Sequence, residues 1–319
     1  MKILVVQNRM GIGDMVIFLP FVEAISKKFN VPVSLLVKEN TKAHEFLKDS
    51  SYIDKIMFLD RSGNEGVHSG LTGFFKLSKE IKKQNFDKIF IFNSSLRFNL
   101  LSRFSGIKNI NQYPLFRKKN QHIISTAQNF LKKILNEDIQ SNPKINMPEE
   151  KVKEAKNKYK INENKLNIIL GIGGSGNTKR IPSKTFIKFM ELSSKKYDCN
   201  FYLATGNDKK ELDILNDILN SDYKNNCKPL NNLKITEILP IFKNCKIAIC
   251  NDSSFSHLSA ALGIKTIVLM ADTPLIYGNY SPRMYPIIPD GEMDVTHNTL
   301  GKDKINPERI FGKFIEILS

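Results

Sequence analysis

Residues 2–37 read KILVVQNRMGIGDMVIFLPFVEAISKKFNVPVSLLV, and their pattern decides the architecture. An apolar, β-branched run at 3–6 gives way to a polar turn carrying two glycines. Apolar residues then recur at helical spacing over 16–29, and a second apolar run follows at 33–37. Strand, turn, helix and strand in that order form a βαβ unit. The strands are apolar throughout instead of alternating, as strands are in a parallel sheet covered on both faces.

The same rhythm extends outward. A helix over 41–47, a strand at 56–59, a helix over 71–83, a strand at 88–92 (KIFIF) and helices over 95–104 and 125–135 complete a first half. The stretch 140–148, QSNPKINMP, breaks the pattern with two prolines and is followed by the charged EEKVKEAKNKYKINENK. The domain boundary is expected there, giving domains 1–148 and 149–319. The second half repeats the series: strand 167–171, helix 183–196, strand 201–205, helices 208–219 and 236–244, strand 247–250, helix 255–262 and strand 266–270. The final apolar helix, 307–318, could pack on either half. The expected fold class is α/β, with two Rossmann-like domains facing across a central cleft at the carboxyl ends of their strands, where such sheets bind ligands.

Composition narrows the function. The 319 residues are 41% hydrophobic and 25% charged, which excludes a disordered or fibrous chain. Lys and Arg number 48 against 32 Asp and Glu, a formal charge of +16. The excess is concentrated between Lys76 and Lys133, where thirteen basic residues, Arg97 and Arg117 among them, face two acids, Glu80 and Asp87. Such a run either keeps the chain soluble or meets an anionic partner. Nucleic acid fits poorly: aromatics are 9%, tryptophan is absent, and the basic residues are spread over several elements. No apolar run reaches the roughly 18 residues of a membrane span, and Gln7 cuts short the apolar start, so a cytoplasmic chain is expected. Cys199, Cys227, Cys245 and Cys250 show no CxxC spacing, which points to buried thiols and not to disulfides or a cysteine zinc site.

Three turns can carry chemistry. In the first, NRMGIGDMVIFLP (8–20), Gly11 and Gly13 allow a tight turn and close ligand approach, and Asp14 lands at the helix start. Asp14 can cap the helix or accept a proton as general base. The second, LGIGGSGNTKRIPSKTF (170–186), follows the first strand of the second half. Gly173, Gly174, Ser175 and Gly176 can turn amides toward an anion beside Lys179 and Arg180, or form a flexible βα loop. In the third, CNDSSFSHLSAALG (250–263), Asp252, Ser253, Ser254 and His257 converge on a helix N-terminus. There they can bind an anion, or serve as cap and packing residues. The first of these turns is not GxGxxG and lacks the GK[ST] of a P-loop, so a dinucleotide or nucleoside-triphosphate site is poorly supported there.

In order and placement, these motifs resemble those of glycosyltransferase family 9, the ADP-heptose:lipopolysaccharide heptosyltransferases. MGIGDMVIFLP (10–20) is similar to the family's Met-Gly-Asp and Leu-Pro element. DSSFSHLSAALG (252–263) is similar to its Asp-Ser/Thr-Gly, His-Leu, Ala-Leu-Gly signature. The resemblance implies a GT-B fold with acceptor bound by the first domain and nucleotide sugar by the second. It implies an inverting sugar transfer, of heptose from ADP-heptose, to a lipopolysaccharide or lipooligosaccharide core, with no metal or other cofactor and with peripheral contact at the inner membrane surface. By matching position, Asp14 is the general base and Lys179 steadies the leaving diphosphate. The donor contacts are Gly173, Gly174, Ser175, Thr178, Arg180, Gly206, Asp252, Ser253, Ser254 and His257, and the acceptor side holds Gly11, Gly13, Arg97 and Arg117. The chain departs from the family at Ser254, where glycine is usual, at 269–274 (LMADTP), where Phe/Tyr-Gly-Pro-Thr-Asp-Pro is common, and at Arg180, where an aromatic residue commonly follows the lysine. The alternatives are another nucleotide sugar on the same fold, or a nucleotide-sugar epimerase.

Overall fold

Apolar strands joined in parallel need a covering element between each pair, and the chain supplies one at nearly every step. The computed structural model describes residues 1–61, 63, 65–115 and 123–319, which divide by internal contacts into two compact units, Met1–Pro143 and Lys144–Ser319. The division falls inside the proline-bearing stretch 140–148.

The first unit runs β1 (Ile3–Val6), α1 (Ile12–Phe29), β2 (Val33–Val37), α2 (Ala43–Phe46), β3 (Ile53–Phe58), α3 (Gly70–Lys82), β4 (Lys88–Ile91), α4 (Leu96–Phe104), β5 (Asn109–Gln112) and α5 (Ile123–Leu135). Its five parallel strands lie in the order β3-β2-β1-β4-β5. β1, β2 and most of β4 are buried, whereas the edge strands are partly exposed: β3 (IDKIMF) carries the charged Asp54 and Lys55, and β5 (NINQ) is mostly polar, as suits unpaired edges. One core joins Leu4, Val6, Leu36, Ile89 and Ile91 of the sheet to Phe74, Leu77, Ile81, Phe98 and Leu101 of α3 and α4.

The second unit runs α6 (Glu149–Lys158), β6 (Leu166–Gly171), α7 (Ser183–Ser194), β7 (Cys199–Ala204), α8 (Lys209–Leu219), β8 (Cys227–Pro229), α9 (Ile235–Lys243), β9 (Ile247–Asn251), α10 (Ser254–Ala261), β10 (Lys265–Leu269), α11 (Ile276–Asn279), β11 (Met284–Ile287) and α12 (Pro307–Leu318). Its six parallel strands lie in the order β11-β10-β9-β6-β7-β8. Pro229 and Pro286 sit in the two edge strands, where a missing N–H costs no ladder bond. The charged stretch after the break is helix α6, held to α9 by Glu237, which takes Lys158 at 2.9 Å and the Tyr159 hydroxyl at 3.0 Å.

The final helix α12 packs on the second unit. Asn306 caps it by accepting from the Glu308 amide, Pro307 opens it, and the Phe314 ring lies 5.3 Å from Phe189 of α7. Among the described residues, no helix is long and apolar enough to cross a membrane. Phe314 is fully buried, so Phe314→Ala should destabilise the second unit by about 3–5 kcal/mol. Urea denaturation followed by circular dichroism should show this loss, with amide-exchange protection in the first unit unchanged.

Candidate active site

Winding reverses at the first strand of each sheet. In the first unit, β1 lies between β2 and β4, and in the second β6 lies between β9 and β7. Loops leaving the carboxyl ends of β1 and β4, or of β6 and β9, therefore diverge and leave a crevice in each unit. The three sequence turns sit at these two places.

In the first unit the turn after β1 carries the acid. Gly11 has φ 105°, a conformation that suits glycine, and precedes α1 without a side-chain cap bond. The helix starts at Ile12, so Gly13 and Asp14 are its second and third residues, and Asp14 is not its N-cap. The carboxylate lies 3.5 Å from Arg9 Nη1 and is partly exposed. Two buried amides missed in the sequence lie at the same strand ends. Among the described residues, Gln7, just after β1, has no partner for either side-chain polar atom, and Asn93, after β4, has none for its nitrogen. Unpaired buried polar groups are costly and need a reason, which a site provides. Arg97 is committed locally: its guanidinium donates to the His68 carbonyl at 2.8 Å and lies 5.3 Å from the Phe74 ring. Arg117 lies outside the described residues.

In the second unit, the loop after β6 is braced by charge. Arg180 donates to the Gly174 carbonyl at 2.7 Å and to Asn177 at 3.1 Å, and pairs with Asp208 at 3.3 Å. Glu211, in the first turn of α8, accepts from the Gly174 amide at 2.7 Å. A side chain at Gly173 would meet Glu211 and Thr205 at 2.7 and 2.9 Å, and Gly206 lies against the other Glu211 oxygen. The glycines thus close around a carboxylate of the chain itself, and Gly174's amide is not open to a phosphate. Ser175 and Gly176 stand exposed at the tip of the loop. Glu211 was not singled out in the sequence; its signal is an acid in the first turn of a helix that follows a strand's carboxyl end. Asp272, after β10, accepts from the Leu300 amide at 2.8 Å and from the Thr178 side chain.

The turn after β9 joins the second loop through an ion pair. Lys179 Nζ lies 2.9 Å from Asp252 Oδ2, and Asp252 Oδ1 lies 3.9 Å from His257 Nε2. His257 Nδ1 is 2.8 Å from the Tyr280 hydroxyl, and the two rings stack. Burial alone would raise the Asp252 carboxyl, but the Lys179 ammonium, by its charge and its hydrogen bond, outweighs it and holds the carboxyl below the ordinary carboxylate range. Burial pushes the His257 imidazole below its usual value, against the pull of Asp252. Burial likewise pushes the Tyr280 phenol up, so it keeps its proton. The consistent assignment is a neutral imidazole that accepts from Tyr280 and turns Nε2–H toward Asp252. Ser253 is the N-cap of α10, yet its hydroxyl makes no cap bond and has no partner among the described residues, while Ser254 opens the helix half-buried. A helix N-terminus, an unpartnered hydroxyl and a lysine on a buried carboxylate thus meet at one sheet edge, suited to an anion bearing a sugar. Among the described residues, no group of three His, Cys, Asp or Glu could hold a metal ion.

Comparison with known proteins gives the following. A model of "Glycosyltransferase family 9 (heptosyltransferase)" matches residues 74–285. Lipopolysaccharide heptosyltransferase 1 of Campylobacter coli is 22% identical over 92% of this chain and 90% of its own length. A glycosyl transferase family 9 structure from Veillonella parvula superposes with a TM-score of 0.79, at 16% identity, over 99% of this chain and 97% of that one. The E. coli ADP-heptose lipopolysaccharide heptosyltransferase II gives 0.74, at 17% identity, over 100% and 98%.

The His257 network should leave a pH signature. His257 binds a proton less readily folded than unfolded, so its contribution to stability is complete above about pH 6.5 and is lost as pH falls through the lower folded value. The melting-temperature gap between wild type and His257→Gln should narrow on acidification from neutral pH. A constant gap would remove the neutral imidazole from the network.

Proposed function

The chain belongs to glycosyltransferase family 9, and from that premise we propose that it moves heptose from ADP-heptose to the phosphorylated inner core of a lipopolysaccharide or lipooligosaccharide, inverting the anomeric centre without a metal ion. The fold is of the GT-B class, and the protein is a glycosyltransferase, which sets the epimerase alternative aside. The observation that carries the finer reading is the Lys179–Asp252 pair at 2.9 Å beside the open end of α10.

The chemistry follows from charge. The acceptor hydroxyl gives its proton to the Asp14 carboxylate as its oxygen attacks the anomeric carbon from the face opposite the leaving group. The bond from that carbon to the diphosphate breaks, inverting the centre, and the electron pair leaves on the diphosphate oxygen. Lys179, more exposed than its partner at 25% against 6%, is the cation free to follow the leaving charge. The first amides of α10 and the Ser253 hydroxyl add donors aimed at the same place. Asp252 stays ionised and accepts from sugar hydroxyls while facing the positive character that develops on the ring. Glu211 repels phosphate from Gly174 and offers acceptors to hydroxyls instead, so the diphosphate belongs at Lys179 and the ribose of the nucleotide belongs near Gly206 and Glu211. Thr178 and Arg180 act by holding the loop. In the first unit, Gly11 and Gly13 admit the acceptor to Asp14 and Arg117 supplies positive charge to its phosphates, while Arg97 stays engaged with His68 and Phe74. An anionic glycolipid acceptor places the protein at the cytoplasmic face of the inner membrane and leaves nucleic acid without a role.

Two measurements test this reading. Thermal shift against ADP, UDP, GDP and CDP should show ADP stabilising most, by about 2.7 kcal/mol at a hundredfold excess over Kd, with no change on adding EDTA or magnesium. A preference for another base would change the donor, and dependence on magnesium would overturn metal independence. Asp14→Asn should lower kcat by about 10²–10⁴-fold while the ADP shift persists; full rate in that variant would remove Asp14 as base.

A further inference from the structure

Five large apolar side chains stand in solvent on two neighbouring helices of the first unit. On α3, Leu71 is 78% exposed and Phe75 58%; on α4, Leu96 is 42% exposed, Leu100 39% and Phe104 58%. Residues 71 and 75, like 100 and 104, are four apart, so each pair occupies one helix face. The Phe75 and Phe104 rings lie 6.0 Å apart, and both rest on buried Phe74, at 5.3 and 5.5 Å. The helices are thereby joined across their seam into a contiguous aromatic patch. Single exposed apolar residues are ordinary on a protein surface, but a contiguous patch of this kind marks an interface.

The surroundings of the patch are basic. Lys76, Lys79, Lys82, Lys83, Arg103 and Lys108 are all exposed. The acids between 71 and 108 are Glu80 and Asp87, and both are engaged: Glu80 lies 3.1 Å from His68 Nε2, and Asp87 accepts from the Lys2 amide at 2.6 Å. A second copy of this face would bring two lysine-rich surfaces together, whereas an anionic surface would neutralise them. Aromatic and aliphatic side chains in the centre with lysine and arginine around them are the composition of an element that lies in a membrane interface.

Position adds a reason. α3 and α4 each follow a strand of a parallel sheet, so their N-termini stand at its carboxyl edge, the edge that carries the Gly11–Asp14 turn. Leu71 is in the first turn of α3, Leu96 opens α4, and Met10 in the turn is 60% exposed.

We propose that the α3–α4 face docks on an anionic phospholipid surface, with Leu71, Phe75, Leu100 and Phe104 entering the boundary between headgroups and acyl chains and the surrounding lysines and arginines meeting lipid phosphates. The purpose of this docking, to hold the Asp14 edge at the level of a glycolipid headgroup, rests on the acceptor reading above; the docking itself rests on the surface. Co-sedimentation with phosphatidylethanolamine–phosphatidylglycerol vesicles tests it, with phosphatidylcholine vesicles as the neutral comparison. The full chain should bind the anionic vesicles at least about tenfold better. Phe75→Ser with Phe104→Ser, and separately Lys76→Glu with Lys79→Glu and Arg103→Glu, should each lower that partition by about tenfold or more. Melting temperatures should be unchanged, because the substituted side chains are exposed. Equal partition of variants and wild type, or no preference for anionic lipid, overturns the proposal. So does a dimer in light scattering that Phe75→Ser dissociates without any vesicle binding, which would give the patch to a second copy. ADP stabilisation is read separately, so failure of the donor reading and failure of the docking surface are distinguishable.

Discussion

A parallel sheet begins at one strand and grows in both directions, and the reversal is the constraint on which both units depend. Crossovers of a fixed hand place helices of the two growth directions on opposite faces, so the loops beside the first strand part from one another. β1 and β4 part in the first unit, as β6 and β9 do in the second. No side chain needs to be spent on opening a crevice there. Residues delivered to those strand ends inherit a concave, amide-rich edge, and Asp14, Lys179 and Asp252 are delivered there.

The second constraint is electrostatic and belongs to Asp252. A carboxylate this well covered is expensive to keep charged, and the surroundings keep it charged through Lys179 on one oxygen and His257 near the other. Tyr280 then sets the imidazole by occupying its far nitrogen. The loop after β6, the turn after β9 and α11 with its flanking residues are linked through one anion. The ordering of three separate segments is therefore tied to a group suited to the chemistry. Glu211 does the same for the glycine loop from the other side, by filling the turn that a phosphate might otherwise enter.

Most of the fold was legible in the sequence because buried parallel strands are continuous apolar runs: ILVV, VSLLV, KIFI, IAICN and KTIVL read as strands without help. The strands that escaped, NINQ, CKP and MYPI, are short edge strands, polar or proline-bearing, whose pairing comes from the neighbour and not from their own composition. Helix α1 starts at Ile12, earlier than the apolar periodicity suggests, because Gly13 and Asp14 carry no apolar signal although they lie on the helix. The charged segment read as a boundary is helix α6, whose partner α9 lies far along the chain. In the site, residue types at strand ends pointed to Lys179, Asp252, Ser253 and His257. Glu211, Gln7 and Tyr280 were silent, because their importance lies in what they touch. Arg97 was chosen for its charge, but its local bonds to His68 and Phe74 depend on packing that charge does not encode.

All four cysteines lie in the second unit, and every one is buried. Burial pushes their thiols well above the ordinary value, to about 11 at Cys199 and about 12 at Cys227 and Cys250. Alkylating and oxidising reagents act on the thiolate, so the folded chain is nearly inert to them. Sulfur chemistry therefore becomes possible only when the second unit opens, and the first unit contributes no background. The rate at which the protein takes up a thiol label is thus a native clock for the breathing of one lobe alone.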